Sequence, residues 1–200
     1  MAGTSKSNII LNKTLHLIAT LLNKYKLNNW FIGYGTLLGI TRNNSCIDED
    51  DDVDIIMDKK DVNKIITILK ENNFINISYK NNFIRAYYNF NPNPNNISIN
   101  STLKNTFSSI INKKTYIDIN NKFIGALDIY LADVDNNGNF NDTWENFYWT
   151  NCFDLIEKEW SDTKILLPNN YMIKLENLYG SNWKTPIKNY ISPLPRKRII

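Results

Sequence analysis

The residues best suited to do chemistry form an acidic run at 47–55, which reads IDEDDDVDI and carries six acidic side chains. Two carboxylates about 4 Å apart repel by about 4 kcal/mol at an effective dielectric constant of 20, so such a group requires water or a cation. Side chains two apart in a strand share one face. We therefore expect Asp52 and Asp54 to point the same way, with Asp50 extending the row. Hard oxygen ligands suit Mg²⁺ or Mn²⁺, and a solvated acidic loop is the alternative.

A further acidic residue lies inside an apolar segment that has the pattern of a strand. Asp128 occurs in FIGALDIYLAD, where Leu127 and Ile129 have the pattern of buried neighbours. A carboxylate in such a strand is costly unless it is paired, hydrogen-bonded or metal-bound. If this strand lies beside the one that carries Asp54, three carboxylates can bind one or two metal ions, an arrangement used in phosphoryl transfer. A hydrogen-bonded structural role for Asp128 is the alternative.

A strand closed by glycines and followed by a short helix provides a candidate phosphate site. The run WFIGYG at 30–35 predicts a buried strand, and TLLGITR predicts a helix that begins at Thr36, whose hydroxyl can cap free N–H groups. Backbone N–H groups at a helix N-terminus bind anions, so Gly35 and Thr36 are candidate phosphate ligands. Arg42, about two turns later, is a candidate for a further phosphate contact.

A calcium loop is a competing interpretation of the acidic run, because its alternate Asp residues have the 1, 3, 5 spacing of an EF-hand. Ile55 occupies position 6, where a Gly is required, and Asp61 occupies position 12 instead of Glu. A second candidate begins at Asp133 and has Gly138 at position 6, but Trp144 falls at position 12. We interpret that second segment as a hairpin turn.

The remaining pattern alternates helices and strands, which is typical of an α/β (α+β) protein. Apolar periodicity predicts helices at 9–25, 61–73 and 170–180, and strands at 30–35, 53–58, 74–79, 83–90, 116–119 and 123–133. The segment at 91–108, rich in Pro and Asn, predicts a loop that is either a surface connection or a lid over the site. No repeat or linker divides the chain, so we expect a single domain over 1–200.

Composition excludes several other classes of protein. With 200 residues, 42% of them hydrophobic, and a net charge of +3, the chain fits a folded domain. The basic cluster RKR at 196–198 gives little support to nucleic-acid binding. Cys46 and Cys152 are too few for a disulfide framework, and His16 has no second histidine as a partner. Neither a signal peptide nor an apolar run of 18 residues is present, so we expect a cytoplasmic protein without a membrane span.

The motifs, in their order along the chain, resemble the signature of the LicD and fukutin family. GYGTLLGITRNNSCIDEDDDVDIIMD is similar to its Gly-Thr-Leu-Leu-Gly segment and acidic strand, ALDIYLAD to its later strand, and LLPNNYMIKLENLYGSNWKTP to its closing segment. The resemblance spans about residues 28–186. It implies a nucleotidyltransferase-type fold, in which a mixed β-sheet flanked by helices carries metal-binding Asp residues on adjacent strands. It also implies a metal-dependent transferase that moves a phosphocholine- or ribitol-phosphate-like group from a CDP-linked donor to a glycan hydroxyl.

Compared residue by residue, the resemblance implies roles for particular positions. The metal-binding residues are Asp50, Asp52, Asp54 and Asp128, of which the last three are catalytic, and the phosphate-binding residues are Gly35, Thr36 and Arg42. The chain has Asp48 and Glu49 where relatives usually have Pro-Trp, a difference that bears on the donor headgroup. Two alternatives stay open: a nucleotidyltransferase that acts on a small molecule or sugar, and a non-catalytic metal- or glycan-binding module.

Overall fold

In the computed structural model, which describes residues 6–91 and 124–186, five strands form one mixed β-sheet. They are β1 (Trp30–Ile32), β2 (Val53–Asp58), β3 (Ile75–Lys80), β4 (Phe83–Asn89) and β5 (Ile124–Ala132). All five correspond to strands predicted from the sequence. The strand predicted at 116–119, the predicted loop from residue 92 onward and the basic cluster at 196–198 lie outside the described residues.

The strand order across the sheet is β1-β2-β5-β4-β3. β2 and β5 are parallel, and every other neighbouring pair is antiparallel. All six residues of β2 are buried. A strand covered on both faces is expected to be almost wholly apolar. Asp54 and Asp58 are the exceptions among the Val, Ile and Met residues of β2.

Two hairpins and a final helix follow the sheet. The hairpins are β6 (Phe140–Asp142) with β7 (Phe147–Trp149), and β8 (Leu155–Trp160) with β9 (Thr163–Pro168). The turn expected near Gly138 is present, since its N–H donates to the Asp135 carbonyl at 2.9 Å. That turn does not join a hairpin, because β5 and β6 belong to different sheets.

The sheet is flanked by helices, as predicted. The helices found in the described residues are α1 (Ser7–Lys24), α2 (Tyr34–Asn43), α3 (Val62–Glu71) and α4 (Tyr171–Tyr179), with a 3₁₀ turn at Lys59–Asp61 before α3. Helix α1 contacts β5 and β9, and α2 contacts β2 and α4. Within residues 6–91 and 124–186, none of the helices has the length and apolar character needed to cross a membrane.

The start of α2 differs from the prediction. The helix begins at Tyr34, two residues earlier than expected, with Gly33 as its N-cap, and β1 already ends at Ile32. Thr36 therefore lies in the first turn, where its hydroxyl accepts a hydrogen bond from the Asp54 N–H at 2.8 Å instead of capping the helix. The physical reason is that this buried N–H requires a partner, and the Thr36 hydroxyl supplies it.

Candidate active site

Three carboxylates converge where β2 and β5 run side by side. Asp54 on β2 and Asp128 on β5 are partners in the parallel register, and they are 6% and 2% exposed. Asp52 lies directly before β2. One carboxylate oxygen from each of the three residues lies within 4.8 Å of those of the other two. The structure thus brings together the acidic strands that the sequence reasoning expected to be neighbours.

Burial and mutual repulsion make the ionised state of these carboxylates unfavourable. Burial raises the pKa of Asp52 and Asp54 well above the ordinary value, and the negative charges of neighbouring Asp residues raise it further. Burial also raises the pKa of Asp128, although its hydrogen bonds and ion pair with Arg85 oppose that increase. A bound cation offsets both effects, so the group has the electrostatic character of a cation site.

Asp50 lies at the edge of the same acidic group. It is partly buried, and burial followed by the negative charge of Asp51 raises its pKa to about 6. Asp50, Asp51 and Asp52 also have carboxylate oxygens within 4.8 Å of one another. A β-carbon at Gly35 would lie only 2.5 Å from Asp50 Oδ2. Glycine at position 35 therefore allows this carboxylate to approach the start of α2.

The start of α2 is hydrogen-bonded to Asp54. The Gly35 N–H donates to Asp54 Oδ2 at 3.1 Å, and the Gly33 N–H donates to the Asp54 carbonyl at 3.1 Å. Together with the bond from the Asp54 N–H to Thr36, these contacts fix the carboxylate where the helix dipole favours negative charge. Gly35 and Thr36 thus lie beside the carboxylates, but in this structure the Gly35 N–H donates its hydrogen bond to Asp54. Their contact with a phosphate remains a prediction.

Tyr34, the first residue of α2, has a backbone conformation that non-glycine residues rarely adopt. Its φ is +40°, and such a conformation costs about 1–3 kcal/mol. The Tyr34 hydroxyl donates to Asp142 and accepts from Trp149 Nε1 at 2.9 Å. Its ring packs against Tyr130, with 4.9 Å between the centroids. These contacts stabilise the backbone conformation in which the N–H group of the next residue, Gly35, points at Asp54.

Arg42 lies at the other end of α2 from Gly35. The two residues are seven positions apart, or about 10 Å along the helix axis. Arg42 Nη1 donates to the Trp183 carbonyl at 3.5 Å, and its Nε has no hydrogen-bond partner in the part of the chain that the structure describes. Burial lowers the pKa of Arg42. No described hydrogen bond or ion pair joins it to the acidic group, so its role in phosphate binding remains a prediction.

Arg85 is a residue of the site that sequence reasoning missed. It lies opposite Asp128 in the antiparallel pairing of β4 with β5. Its Nε donates to Asp128 Oδ1 at 2.6 Å, and its Nη2 donates both to Asp128 Oδ2 and, at 3.1 Å, to Asp52 Oδ2. The available signal was a lone Arg inside the apolar segment FIRAYYNF, where a charged side chain requires a partner.

Aromatic side chains form a rim beside Arg85. The Phe83 ring centroid lies 5.7 Å from the Arg85 guanidinium carbon and 5.1 Å from the Trp144 ring. Trp144 is 49% exposed, yet its indole N–H donates to the Asn81 carbonyl at 2.9 Å and its backbone N–H donates to Asp142 at 2.8 Å. An exposed indole fixed in this way offers one face on which a flat ring can stack.

The acidic group could bind a divalent metal ion. Its ligand atoms are carboxylate oxygens, which are the ligands that Mg²⁺ and Mn²⁺ prefer. Metal binding by Asp50, Asp52, Asp54 and Asp128 remains a prediction. The EF-hand interpretation of the same residues is wrong, because positions 53–58 form strand β2 instead of the loop that such a site needs.

Comparison with known proteins relates the chain to nucleotidyltransferase domains. A family model described as "LicD/FKTN/FKRP, nucleotidyltransferase domain" matches residues 28–194. None of the curated proteins matches the chain. Among solved structures, the crystal structure of lincosamide antibiotic adenylyltransferase LnuA, lincomycin-bound, is similar, with a TM-score of 0.46 and 18% identity. That similarity covers 83% of this chain and 85% of LnuA, and it does not bear on the substrate of this chain.

The family match extends over most of the chain and includes all the residues to which the sequence reasoning assigned a role in the site. It confirms the resemblance and, with the mixed sheet flanked by helices, the nucleotidyltransferase-type fold. The chain belongs to the LicD/FKTN/FKRP family of nucleotidyltransferase domains.

Proposed function

We propose that this protein is a divalent-metal-dependent phosphotransferase. It moves a substituted phosphate, such as phosphocholine or ribitol phosphate, from a CDP-linked donor to a hydroxyl group of a glycan. The observation that carries the proposal is the group formed by Asp52, Asp54 and Asp128. Carboxylates on adjacent strands are suitable ligands for a metal ion that also binds a diphosphate. Membership of the family supports a nucleotide-linked donor, whereas cytidine and the glycan are inferred from the sequence resemblance.

The proposed reaction breaks one P–O bond and forms another. The acceptor hydroxyl oxygen attacks the phosphorus that carries the alcohol. The bond from this phosphorus to the bridging oxygen of the diphosphate breaks, and CMP leaves with that oxygen. The hydroxyl proton passes to solvent or to a carboxylate of the site. Catalysis of such a step comes mainly from positioning and from stabilisation of charge.

The chain's own residues would bind and orient the donor. Asp52 and Asp54 would hold Mg²⁺ or Mn²⁺, which when bound offsets the charge of the phosphates and of the departing CMP oxygen. Gly35 and Thr36 lie beside these carboxylates at the N-terminus of α2, where partial positive charge favours a phosphate oxygen. Arg42 is assigned a more distant phosphate contact by the resemblance alone.

The direct test is to identify the nucleotide that the protein releases. The protein is incubated with Mg²⁺ or Mn²⁺, a mixture of glycan acceptors, and one of CDP-choline, CDP-ribitol, CDP-glycerol or CTP. Mass spectrometry then identifies the products. We expect CMP, released only when acceptor and metal are present, together with an acceptor whose mass has increased by the phosphoalcohol.

Two other outcomes would contradict the proposal. Pyrophosphate released from CTP, with no use of any CDP compound, would indicate nucleotidyl transfer by the same carboxylates. Metal-dependent binding of a nucleotide or glycan without any product would indicate a non-catalytic module. The Asp54→Asn variant is the control for a contaminating enzyme, because it alters only the site and should release no CMP.

A further inference from the structure

Arg85 contacts two of the three carboxylates, those of Asp128 and Asp52. Its planar guanidinium contacts both oxygens of Asp128 in a fork, and the same Nη2 reaches Asp52 Oδ2 at 3.1 Å. This is the bidentate geometry that makes Arg–carboxylate pairs strong and directional. Asp128 therefore already has a cation across both of its oxygens, whereas the carboxylate of Asp54 has no described ion pair with Arg, Lys or His.

The position of Arg85 is fixed by the sheet. The residue is the register partner of Asp128 on the neighbouring antiparallel strand, so its side chain arises on the same face of the sheet. Its guanidinium carbon also lies 5.7 Å from the centroid of the Phe83 ring, within the range of a cation–π contact. Strand register and a neighbouring ring therefore hold the Arg85 guanidinium in place beside Asp128.

The charges of the group balance with one divalent ion. Asp52, Asp54 and Asp128 together carry three negative charges when ionised. Arg85 supplies one positive charge, so one Mg²⁺ or Mn²⁺ balances these three carboxylates; Asp50, at the edge of the group, is not part of this count. A second divalent ion on Asp128 and Asp52 would lie where the guanidinium now is, and two cations in contact repel strongly at low dielectric.

We propose that Arg85 takes the place of a second metal ion, so that the site binds a single divalent ion on the side of Asp52 and Asp54. The inference rests on the metal site of the proposed function, but it concerns the number of ions and not the group transferred. Arg85 is then a positioning residue, which holds Asp128 and Asp52 and keeps the second position closed to metal. Asp128, to which the resemblance gives a role in metal binding, would pair with Arg85 instead.

The test counts bound Mn²⁺ without any donor or acceptor. Electron paramagnetic resonance of free Mn²⁺, or calorimetry, gives the number of ions bound per chain at saturation. We expect one for the wild-type protein and two for Arg85→Gln, because the neutral side chain frees the oxygens of Asp128. Adding Asp128→Asn to Arg85→Gln should return the number to one. Arg85→Lys keeps the positive charge and should stay at one.

The control is Lys59→Gln, which removes a cation paired with Asp133 away from the acidic group and should leave the number at one. Two ions, or none, on the wild-type protein would overturn the proposal, as would one ion on a folded Arg85→Gln variant. If Arg85→Gln does not fold, the number of ions bound to the wild-type protein still tests the proposal. The ion count uses no donor, so its result does not depend on CMP release. The proposal on the number of ions can therefore be overturned while the proposed phosphotransfer is supported, or the phosphotransfer overturned while the ion number is supported.

Discussion

Asp54 and Asp128 are register partners on the two parallel strands of the sheet, β2 and β5. Their pairing is a direct consequence of the strand register, because a shift of one residue would turn one carboxylate to the opposite face. Val53 and Ile55 on one strand, and Leu127 and Ile129 on the other, are fully buried. The apolar neighbours thus fix the register, and the register brings the two acids together.

Asp52→Asn and Asp54→Asn should each remove metal-dependent nucleotide binding and leave the metal-free protein as stable as the wild type or more stable. The reason is that each variant removes one negative charge from a buried group in which neighbouring charges repel. Thermal unfolding, measured in EDTA and then with Mg²⁺ and CDP-choline together, checks both parts.

The matched control for this pair is Asp133→Asn, since Asp133 is an exposed acid paired with Lys59 outside the group. Its melting temperature should respond to metal and nucleotide as that of the wild type does. Unchanged nucleotide binding in both site variants would show that the metal is held elsewhere.

Asp128→Asn should reduce activity much more than it reduces stability. Without the Asp128 charge, Arg85 keeps Asp52 as its remaining described ionic partner and competes with the metal for that carboxylate. We expect a loss of at least about 100-fold in kcat/KM, which corresponds to about 2.7 kcal/mol of transition-state stabilisation. Urea unfolding of the same variant measures stability. A variant that unfolds outright, with normal activity in the fraction that stays folded, would favour a structural role.

Metal-free protein should become less stable as the pH rises through about 4 to 6. Asp50 has a pKa of about 6 in the folded protein, whereas an unfolded Asp has about 3.9. The folded state therefore holds more protons in this interval, so the free energy of unfolding decreases as they are lost. The raised pKa of Asp52 and Asp54 extends the decrease to higher pH.

Melting temperatures in EDTA, from about pH 4 to about pH 8, measure this decrease. The Asp50→Asn variant should lose part of the decrease, because it lacks one of the titrating groups. Saturating Mn²⁺ should stabilise the wild type more at high pH, since the metal binds ionised carboxylates. A stability in EDTA that increases with pH over this range would contradict the prediction.

Tyr34→Phe should destabilise the protein by about 1–3 kcal/mol, because it removes a hydroxyl that has buried partners. Trp149 is fully buried and would lose the acceptor of its indole N–H, and Asp142 would lose one donor. Tyr148→Phe is the control, since the Tyr148 hydroxyl lies 3.5 Å from Asp135 at an exposed position. Urea unfolding should separate the two variants, and equal effects would mean that the buried network contributes little.

The elements and acids near the start of the chain could be predicted because their signals are local. Residues 53–58 form the predicted strand without any change of bounds. An acid inside each of two apolar segments required a neighbour of some kind, and the resemblance to the family implied that the two acidic strands are adjacent. The start of α2 was missed by two residues, since sequence gives no reason to expect a Tyr at positive φ.

The partners of Arg85 and of Tyr34 could not be predicted, because both depend on pairings between distant segments. Arg85 and Asp128 are 43 positions apart, and they meet only because β4 lies next to β5. Tyr34 and Asp142 are 108 positions apart. A strand order of β1-β2-β5-β4-β3 leaves no periodic signal in the sequence. The position of Arg85 beside the carboxylates is therefore known only once the order of the strands in the sheet is known.

Among the described residues, Trp144 is the side chain that we expect to stack on the base of the proposed nucleotide donor. The rings of Trp144 and Phe83 are 5.1 Å apart, and Phe83 in turn contacts the arginine that binds the carboxylates. A donor with its diphosphate at the acidic group could therefore direct its base along this rim. The indole is about half exposed and is fixed by its hydrogen bond to the Asn81 carbonyl, so little ordering is needed on binding.

Trp144→Ala should weaken binding of CDP-choline, in the presence of Mg²⁺, by about 5- to 150-fold, because stacking of one base contributes about 1–3 kcal/mol. Calorimetry with CDP-choline measures this loss, and calorimetry with pyrophosphate, which has no base, is the matched control and should show no change. Trp144→Phe keeps an aromatic face but loses the bond to Asn81, so its affinity should lie between those of Ala and Trp. If Trp144→Ala weakens both ligands equally, the residue supports the acidic group instead of the base, and if it weakens neither, the base binds elsewhere.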